Sequence, residues 1–497
     1  MIDRKKIPSF VSHVTKRLQD AGFEAWLVGG CVRDLIMERV PKDWDIATNA
    51  RPEQVQEVFK DLRTVYENTF GTVTVLNRPV SHENVSGETF EETQVTTYRS
   101  EGKYTDFRHP DEVSYETNIE KDLERRDFTM NAIAYDPVKD AIKDIFGGLK
   151  DIKDKVIQSV LNPADRFKED ALRMMRAVRF STQLGFAISH ETLGAIMDNK
   201  ELLNEISKER IRDEFIKIID SKNPGIGLGL MQKTGLLEYV IPELLEGVGC
   251  EQKGAHIYDV FEHIVHALQH AADKGYSLEV RLSALFHDIG KPKTRRYDRS
   301  KDKYTFFGHE VVGAKMAKSI LERLKFSRET VTRVTTLVRN HMFFSDTEKI
   351  TLSAVRRIIR NVGPEHIWEL MEVRECDRVG MKKKEAPYRL RKYHAMIEEA
   401  LRDPISVGQL AIDGAYLIGE LHMKPGPRMG WILHALLEEV LNDPTKNTAE
   451  HLSELAKTLD SLPDGALKAL GERGKEKKEE LEGQEIEKLH EKHGVKK

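Results

Sequence analysis

What this sequence has little of narrows its chemistry first. It holds three cysteines, Cys31, Cys250 and Cys376, far apart and without a CxxC pair, which excludes a disulfide framework and a zinc ribbon and fits a reducing cytosol. No run of about 18 apolar residues occurs, so a membrane-spanning helix is not expected. The start, Met1-Ile2-Asp3-Arg4-Lys5-Lys6, leads into an amphipathic stretch rather than a long apolar segment, and a cytoplasmic location is expected. Charge of one sign is also missing: 78 Lys+Arg nearly cancel 82 Asp+Glu, leaving −4 over 497 residues. Bulk charge therefore neither demands nor excludes a nucleic-acid partner, and local basic patches must decide. No internal repeat is visible, which removes solenoids and propellers.

The chain is too long for one ordinary core, and its patterning divides it into four stretches. Residues 1–150 mix helical periodicity with β-branched and aromatic runs at Ala25-Trp26-Leu27-Val28, Trp44-Asp45-Ile46-Ala47, Gly71-Thr72-Val73-Thr74-Val75-Leu76 and Gln94-Val95-Thr96-Thr97-Tyr98. These read as strands between helices, an α/β head. Residues 151–250 carry apolar side chains at helical spacing, punctuated at Asn223-Pro224-Gly225, and read as a helical neck and body. A second helical stretch, 251–400, holds most of the histidines. In 401–497 the end, from Asp464 on, is rich in Lys, Glu and Gly, the composition of an exposed helix or a disordered tail.

Two aspartates one residue apart, Asp43 and Asp45, stand in Lys42-Asp43-Trp44-Asp45-Ile46-Ala47-Thr48. On a strand they share one face while Trp44 and Ile46 take the other, so paired carboxylates face outward and can hold Mg²⁺ through oxygen. Two such cations can activate a 3′-hydroxyl and steady a triphosphate during in-line displacement. Upstream, Leu27-Val28-Gly29-Gly30-Cys31-Val32-Arg33-Asp34 runs from a strand through two glycines into a helix. Glycines let backbone approach phosphate, the helix N-terminus offers N–H groups, and Arg33 adds a charged donor.

Together these segments resemble the nucleotidyltransferase core of the polymerase β superfamily. Three later segments sharpen the resemblance: Thr97-Tyr98-Arg99-Ser100-Glu101 continuing to Pro110, Arg125-Arg126-Asp127-Phe128-Thr129-Met130-Asn131-Ala132, and 165–180 with Asp170, Arg173, Arg176 and Arg179. They are similar to motifs of class II tRNA nucleotidyltransferases, the CCA-adding enzymes, and of bacterial poly(A) polymerases. The resemblance implies a polymerase β-like head with a small mixed sheet, then an all-α neck and body, with CTP, ATP and the tRNA 3′ end as partners. By it, Gly30 and Arg33 contact the triphosphate, Arg126 the incoming nucleotide, and Asp170, Arg173, Arg176 and Arg179 form a nucleotide-recognition helix. Where many relatives carry Glu this chain has Gln94, so the metal site rests on Asp43 and Asp45 alone. Asp170 and Arg173, read as i and i+3 on one helix face, would read the amino group and ring nitrogen that cytosine and adenine share; the same spacing also fits a plain salt bridge.

A second cluster follows. Asp259-Val260-Phe261-Glu262-His263 precedes Leu285-Phe286-His287-Asp288-Ile289-Gly290-Lys291, with His309, His341 and Asp377 downstream. An adjacent His-Asp pair supplies one nitrogen and one oxygen ligand in one place, and other helices must supply the rest. The order resembles the HD phosphohydrolase superfamily, which implies an all-α domain, a metal on His263, His287, Asp288 and Asp377, and His309 and His341 as candidates for a second. His266 and His270 compete with His263. Mn²⁺, Ni²⁺ or Co²⁺ suits such a set, and phosphatase or 2′,3′-cyclic phosphodiesterase activity is implied.

CCA addition leads among the readings. Poly(A) polymerase, or an enzyme adding only CC or only A, shares the head motifs, although Val73-Thr74-Val75-Leu76 after Phe70-Gly71-Thr72 looks more like the tRNA enzymes. From a different class, the chain reads as an RNA-binding regulator whose HD part hydrolyses nucleotides. Nothing in the sequence sets the oligomeric state.

Overall fold

The structure is a computed structural model that describes all residues except 1, 68–70, 80–90, 102–112, 253–256, 301, 344–350, 380–386, 402–406 and 496–497. Phe70 and the stretch 102–110 of the expected motifs lie outside the described residues. The chain divides into two compact units, one of residues 1–339 with 372–382 and the other of 340–371 with 383–497.

Strands in the first unit begin with β1 (Ala25–Val28), β2 (Asp45–Thr48), β3 (Leu62–Glu67), β4 (Thr72–Pro79) and β5 (Glu92–Thr97). After a separate hairpin of β6 (Arg99–Glu101) and β7 (Val113–Tyr115) come β8 (Ala134–Asp136) and β9 (Ala141–Lys143). Seven of these form one mixed sheet in the order β3-β4-β5-β2-β1-β8-β9, with β2 and β5 parallel and the other pairs antiparallel. The four runs expected as strands are all strands, within a few residues at each end. Ile46, Val73, Val75 and Val95 join one buried core, which the helix Ser9–Asp20 reaches with Phe10, Val14 and Leu18. Alternation turns Asp45 to the other face. In one respect the expectation is corrected: β2 begins at Asp45, and Asp43 lies in the bend before it, because register with β5 starts only at Asp45 and with β1 at Ile46.

Helices dominate from residue 148 on. Leu172–Leu184 buries Met174, Met175, Ala177 and Val178 and packs on Lys208–Ile219, which buries Ile211, Phe215 and Ile218. Arg173, Arg176 and Arg179 follow one another at steps of three along that helix, so they share a face. Further on, Val260–Asp273, Leu278–Phe286 and His309–Arg323 carry the histidine segments, with a two-stranded hairpin, β12 (Arg296–Asp298) and β13 (Lys303–Thr305), between the last two; the short pair β10 (Val156–Ile157) and β11 (Ala187–Ile188) lies in the neck.

The second unit is helical throughout its described residues. Leu417, Ile432, Leu436, Leu452 and Leu467 form its core. The charged end is one helix, Asp464–Lys492, and it is not solvated all round. Gly471 and Gly474 lie against Trp431 and His434 so closely that an added Cβ would come 2.7 Å from the Trp431 Cα and 2.1 Å from the His434 carbonyl oxygen. Those two glycines give the tail a docking face.

Candidate active sites

The Gly29-Gly30 turn builds the first site. Gly29 has φ +79°, a left-handed conformation that favours glycine, and caps the helix Gly30–Ile36. A Cβ there would sit 2.9 Å from Arg126 Nη1 and 3.7 Å from Asp45 Oδ2, so the missing side chain lets Arg126 lie across the turn. Asp43, Asp45, Gly30, Arg33 and Arg126 line one cavity of about 550 Å³, and Asp170, Arg173, Arg176 and Arg179 line the same cavity. Every residue expected of the head site is thus brought together.

Buried carboxylates fix the arginines. Asp122, 1% exposed, accepts from Arg125 Nε at 3.0 Å and from Arg126 Nη2 at 3.0 Å. Asp127 accepts from Arg176 Nε at 2.8 Å and, through its other oxygen, from Asn131 Nδ2 at 3.1 Å. Burial would raise the Asp127 carboxyl, but the Arg176 charge and these hydrogen bonds hold it well below the usual range. Arg33 donates to Asn131 Oδ1 and Asp34 Oδ1, both at 2.9 Å. Arg179 donates to Glu214 at 3.1 Å, and burial with the charge of Arg176 lowers it to about 10.

Phe180 completes the cavity, with three guanidiniums over its ring: Arg179 at 4.2 Å, Arg33 at 5.3 Å and Arg176 at 5.5 Å. Cations so arranged reinforce an anion site while the ring offers an apolar edge. Sequence reasoning missed the roles of Phe180, Asn131 and Arg210. A signal was present for Phe180, which directly follows the last of three arginines in step; Arg210 lies 40 residues from its partner and left none.

One expectation about the recognition pair is corrected. Asp170 and Arg173 do not share a helix: Pro163–Glu169 ends before Asp170 and Leu172–Leu184 begins after it. Nor do their side chains pair with each other. Asp170 accepts from Arg210 Nη2 at 2.8 Å and from the Leu172 N–H at 3.1 Å, while Arg173 donates to Glu169 at 2.7 Å and to the Arg125 carbonyl at 3.0 Å. The break frees Asp170 from helical geometry and leaves both side chains on the cavity wall.

Asp43 and Asp45 suit a hard cation by chemistry, being carboxylates at the mouth of a basic cavity. Burial pushes the Asp45 carboxyl up, Arg126 opposes this and Asp43 adds to it, so a cation beside the pair would be favoured. Gln94 stands in register with Asp45 on β5 and offers an amide there, not a third carboxylate.

The second site gathers His263, His287, Asp288 and Asp377, with donor atoms within 4.8 Å of one another. His263 Nε2 and His287 Nε2 face each other at 3.1 Å, and Asp288 Oδ2 lies 3.3 Å from the first and 3.2 Å from the second. Asp377 Oδ1 stands 3.6 Å and 3.5 Å from the same two nitrogens. His287 Nδ1 lies 2.7 Å from the Ala284 carbonyl, to which it donates, so that Nε2 faces the cluster. Although burial lowers it, the neighbouring Asp288 and Asp377 push His287 up to about 10, so a positive charge is favoured here. This donor set fits a divalent cation of borderline softness. His309 Nε2 lies 3.4 Å from Asp288 Oδ1, and the Phe306 carbonyl orients its ring through Nδ1 at 2.7 Å. His341 is buried and belongs to the second unit. Of the competitors, His266 stacks on Tyr258 at 4.2 Å between ring centroids and, like His270, is no member of the cluster.

Three family profiles match in order: the poly A polymerase head domain at 25–158, the probable RNA and SrmB-binding site of polymerase A at 185–247, and the HD domain at 260–382. A CCA-adding enzyme of Lactobacillus helveticus is 33% identical over 449 residues, 90% of this chain and 96% of its own. The chain belongs to the CCA-adding enzyme family. A CCA-adding enzyme of Lactobacillus delbrueckii subsp. bulgaricus is 48% identical over 226 residues, 45% of this chain, so the match spans about half, 54%, of that relative. Among solved structures, the Bacillus stearothermophilus CCA-adding enzyme in complex with CTP is similar over 90% of this chain and 97% of its own, with 26% identity and a TM-score of 0.59. Among the described residues no helix is long and apolar enough to cross a membrane.

The Asp127–Arg176 pair beside this cavity has a measurable consequence. The depressed carboxyl contributes stability above its unfolded pKa, about 3.9, and loses it as pH falls toward the folded value. Asp127→Asn is expected to lower unfolding stability by roughly 2–3 kcal/mol at pH 7 by stranding Arg176, with the gap to the native protein shrinking below about pH 4. Urea unfolding at several pH values checks this; a gap that stays constant contradicts it.

Proposed function

We propose that this protein extends the 3′ end of tRNA with C and A residues from CTP and ATP, without a nucleic-acid template, and that its HD domain is a phosphohydrolase. One observation carries the first part: the glycine turn, Asp43, Asp45 and the arginine set line a single cavity. We divide the chain as a head (1–150), a neck and body (151–250), an HD domain (251–400) and a C-terminal region (401–497).

Asp43 and Asp45 would hold two Mg²⁺. When bound, these supply Lewis-acid activation of the RNA 3′-hydroxyl and neutralise charge on the triphosphate. The 3′-oxygen forms a bond to the α-phosphorus as the bond to the β-phosphate oxygen breaks; pyrophosphate leaves and the hydroxyl proton passes to solvent. Gly30 N–H and Arg33 receive the triphosphate, Arg126 the incoming nucleotide, and Arg176 and Arg179 add positive field over the leaving charge. Asp170 accepts from the exocyclic amino group of C or A while Arg173 donates to the ring nitrogen. Uracil and guanine would set a carbonyl against Asp170, acceptor against acceptor, at a cost of roughly 1–3 kcal/mol. Arg210 acts as a positioning residue, holding Asp170 toward the cavity wall.

In the HD domain, His263, His287, Asp288 and Asp377 would hold one transition metal, Mn²⁺, Ni²⁺ or Co²⁺, which when bound supplies Lewis-acid activation of water toward a phosphate ester. His309 contributes beside Asp288, and the sequence pattern offers His341 as its companion for a second ion.

Three outcomes follow from these roles. Asp43→Asn and Asp45→Asn each abolish nucleotide addition to a tRNA lacking its 3′ end, with circular dichroism unchanged; full activity in either sinks the metal assignment. Asp170→Ala and Arg173→Ala raise UTP and GTP misincorporation relative to CTP and ATP, and wild-type selectivity in both places base reading elsewhere. Replacing His287 and Asp288 together by Ala removes phosphohydrolase activity, best supported by Mn²⁺, Ni²⁺ or Co²⁺, while addition persists; loss of addition in a folded variant shows that the two activities are coupled.

A further inference from the structure

The segment between the His-Asp pair and His309 is built unlike the helices around it. It contains Arg295, Arg296, Arg299 and Lys303 together with Tyr297, Tyr304 and Phe307, cations and aromatic rings interleaved within thirteen residues. Its hairpin pairs Tyr297 with Tyr304 across β12 and β13, their rings 5.4 Å apart, and Arg295 lies 3.7 Å over the Tyr304 ring. The two acidic residues are tied into the turn: Asp302 accepts from the Tyr297 hydroxyl, and Asp298 accepts from the Ser300 N–H at 3.0 Å and its hydroxyl at 2.6 Å. Arg296, Arg299 and Lys303 are exposed and make no ion pair among the described residues. Phe307 is 86% exposed, two residues before His309.

This hairpin is bolted to the metal cluster at both ends. Before it, Lys291 Nζ lies 2.6 Å from Asp288 Oδ2 and 5.6 Å over the Phe306 ring. After it, the Phe306 carbonyl orients His309. Phe307 follows Phe306 directly and lies two residues before His309, and the exposed cations stand on the two strands and in the turn between them.

We propose that the hairpin and Phe307 form a clamp for the 3′ end of single-stranded RNA, which delivers a terminal phosphate ester to the HD cluster. The exposed guanidiniums and ammonium neutralise backbone phosphates, and Tyr297 and Phe307 take unstacked bases on their faces, a combination suited to single strands because a duplex hides its base faces. An acidic protein would pair with the cations but leave a solvent-bare phenyl ring without use. The substrate class is then an RNA terminus rather than a free nucleotide. In hydrolysis of a terminal 2′,3′-cyclic phosphate, a water oxygen bonds to phosphorus, one ribose P–O bond breaks, and the released ribose oxygen takes up a proton.

The substrate half of this proposal rests on the phosphohydrolase reading; the binding half does not, and two experiments on the full-length protein separate them. With Mn²⁺, hydrolysis of an RNA hexamer ending in 2′,3′-cyclic phosphate is compared with that of 2′,3′-cyclic AMP, for the native protein, Phe307→Ala, and Arg296→Glu with Arg299→Glu. The hairpin variants are expected to lose about tenfold in kcat/KM on the hexamer, through KM, and to keep turnover of cyclic AMP, which also shows that the cluster is folded. Equal effects on both substrates, or none on the hexamer, overturn the clamp. In the second experiment the hexamer carries 4-thiouridine next to its 3′ end and is photo-crosslinked, and the adducts are mapped by mass spectrometry. Adducts within residues 296–307 support the clamp even if the native protein hydrolyses neither substrate, an outcome that sinks the phosphohydrolase reading alone; adducts only elsewhere overturn the clamp.

Discussion

Buried carboxylates holding arginines are the constraint on which the head cavity depends. Asp122, Asp127 and Glu214 each take one or two guanidiniums, and those guanidiniums form much of the wall around Asp43 and Asp45. Without the anchors, like charges gathered around one cavity would splay into solvent. With them the positive field is preorganised, and the triphosphate of the proposed reaction would meet donors already in place. The same anchors join the head to the neck, since Asp127 belongs to the head segment and Arg176 to the helix Leu172–Leu184.

The HD cluster meets the opposite problem with a related device. Here two imidazoles and two carboxylates are pressed together where only a cation reconciles them. Backbone carbonyls of Ala284 and Phe306 take the Nδ1 protons of His287 and His309 and so decide which nitrogen faces inward. Lys291 adds a charge against Asp288 and links the cluster to the aromatic segment that follows.

Much of this was legible in the sequence, for local reasons. Strand runs of β-branched residues, the double glycine and the His-Asp pair are signals carried by neighbours in the chain, and each lies where it was expected. Spacing from Asp259 favoured His263 over its competitors His266 and His270, and His263 is the one that joins the cluster. What escaped detection was set by tertiary contacts. Whether Asp170 lies on a helix depends on Arg210, 40 residues away, and on the Leu172 N–H that caps the break. Asp43 falls outside its strand because pairing with β5 begins two residues later and with β1 three. The tail's composition, rich in Lys, Glu and Gly, read as an exposed helix or a disordered tail, whereas Gly471 and Gly474 are where Trp431 and His434 approach.

The central proposal is that a protein cavity, and not a nucleic-acid template, decides which nucleotides are added. It is tested most directly by sequencing the 3′ ends of RNA made from a tRNA lacking its terminal three nucleotides, with all four nucleoside triphosphates and Mg²⁺ present. The account predicts products that end in C, C and A in that order. A run of A residues, random extension, or release of phosphate from nucleotides with no extension at all would contradict it.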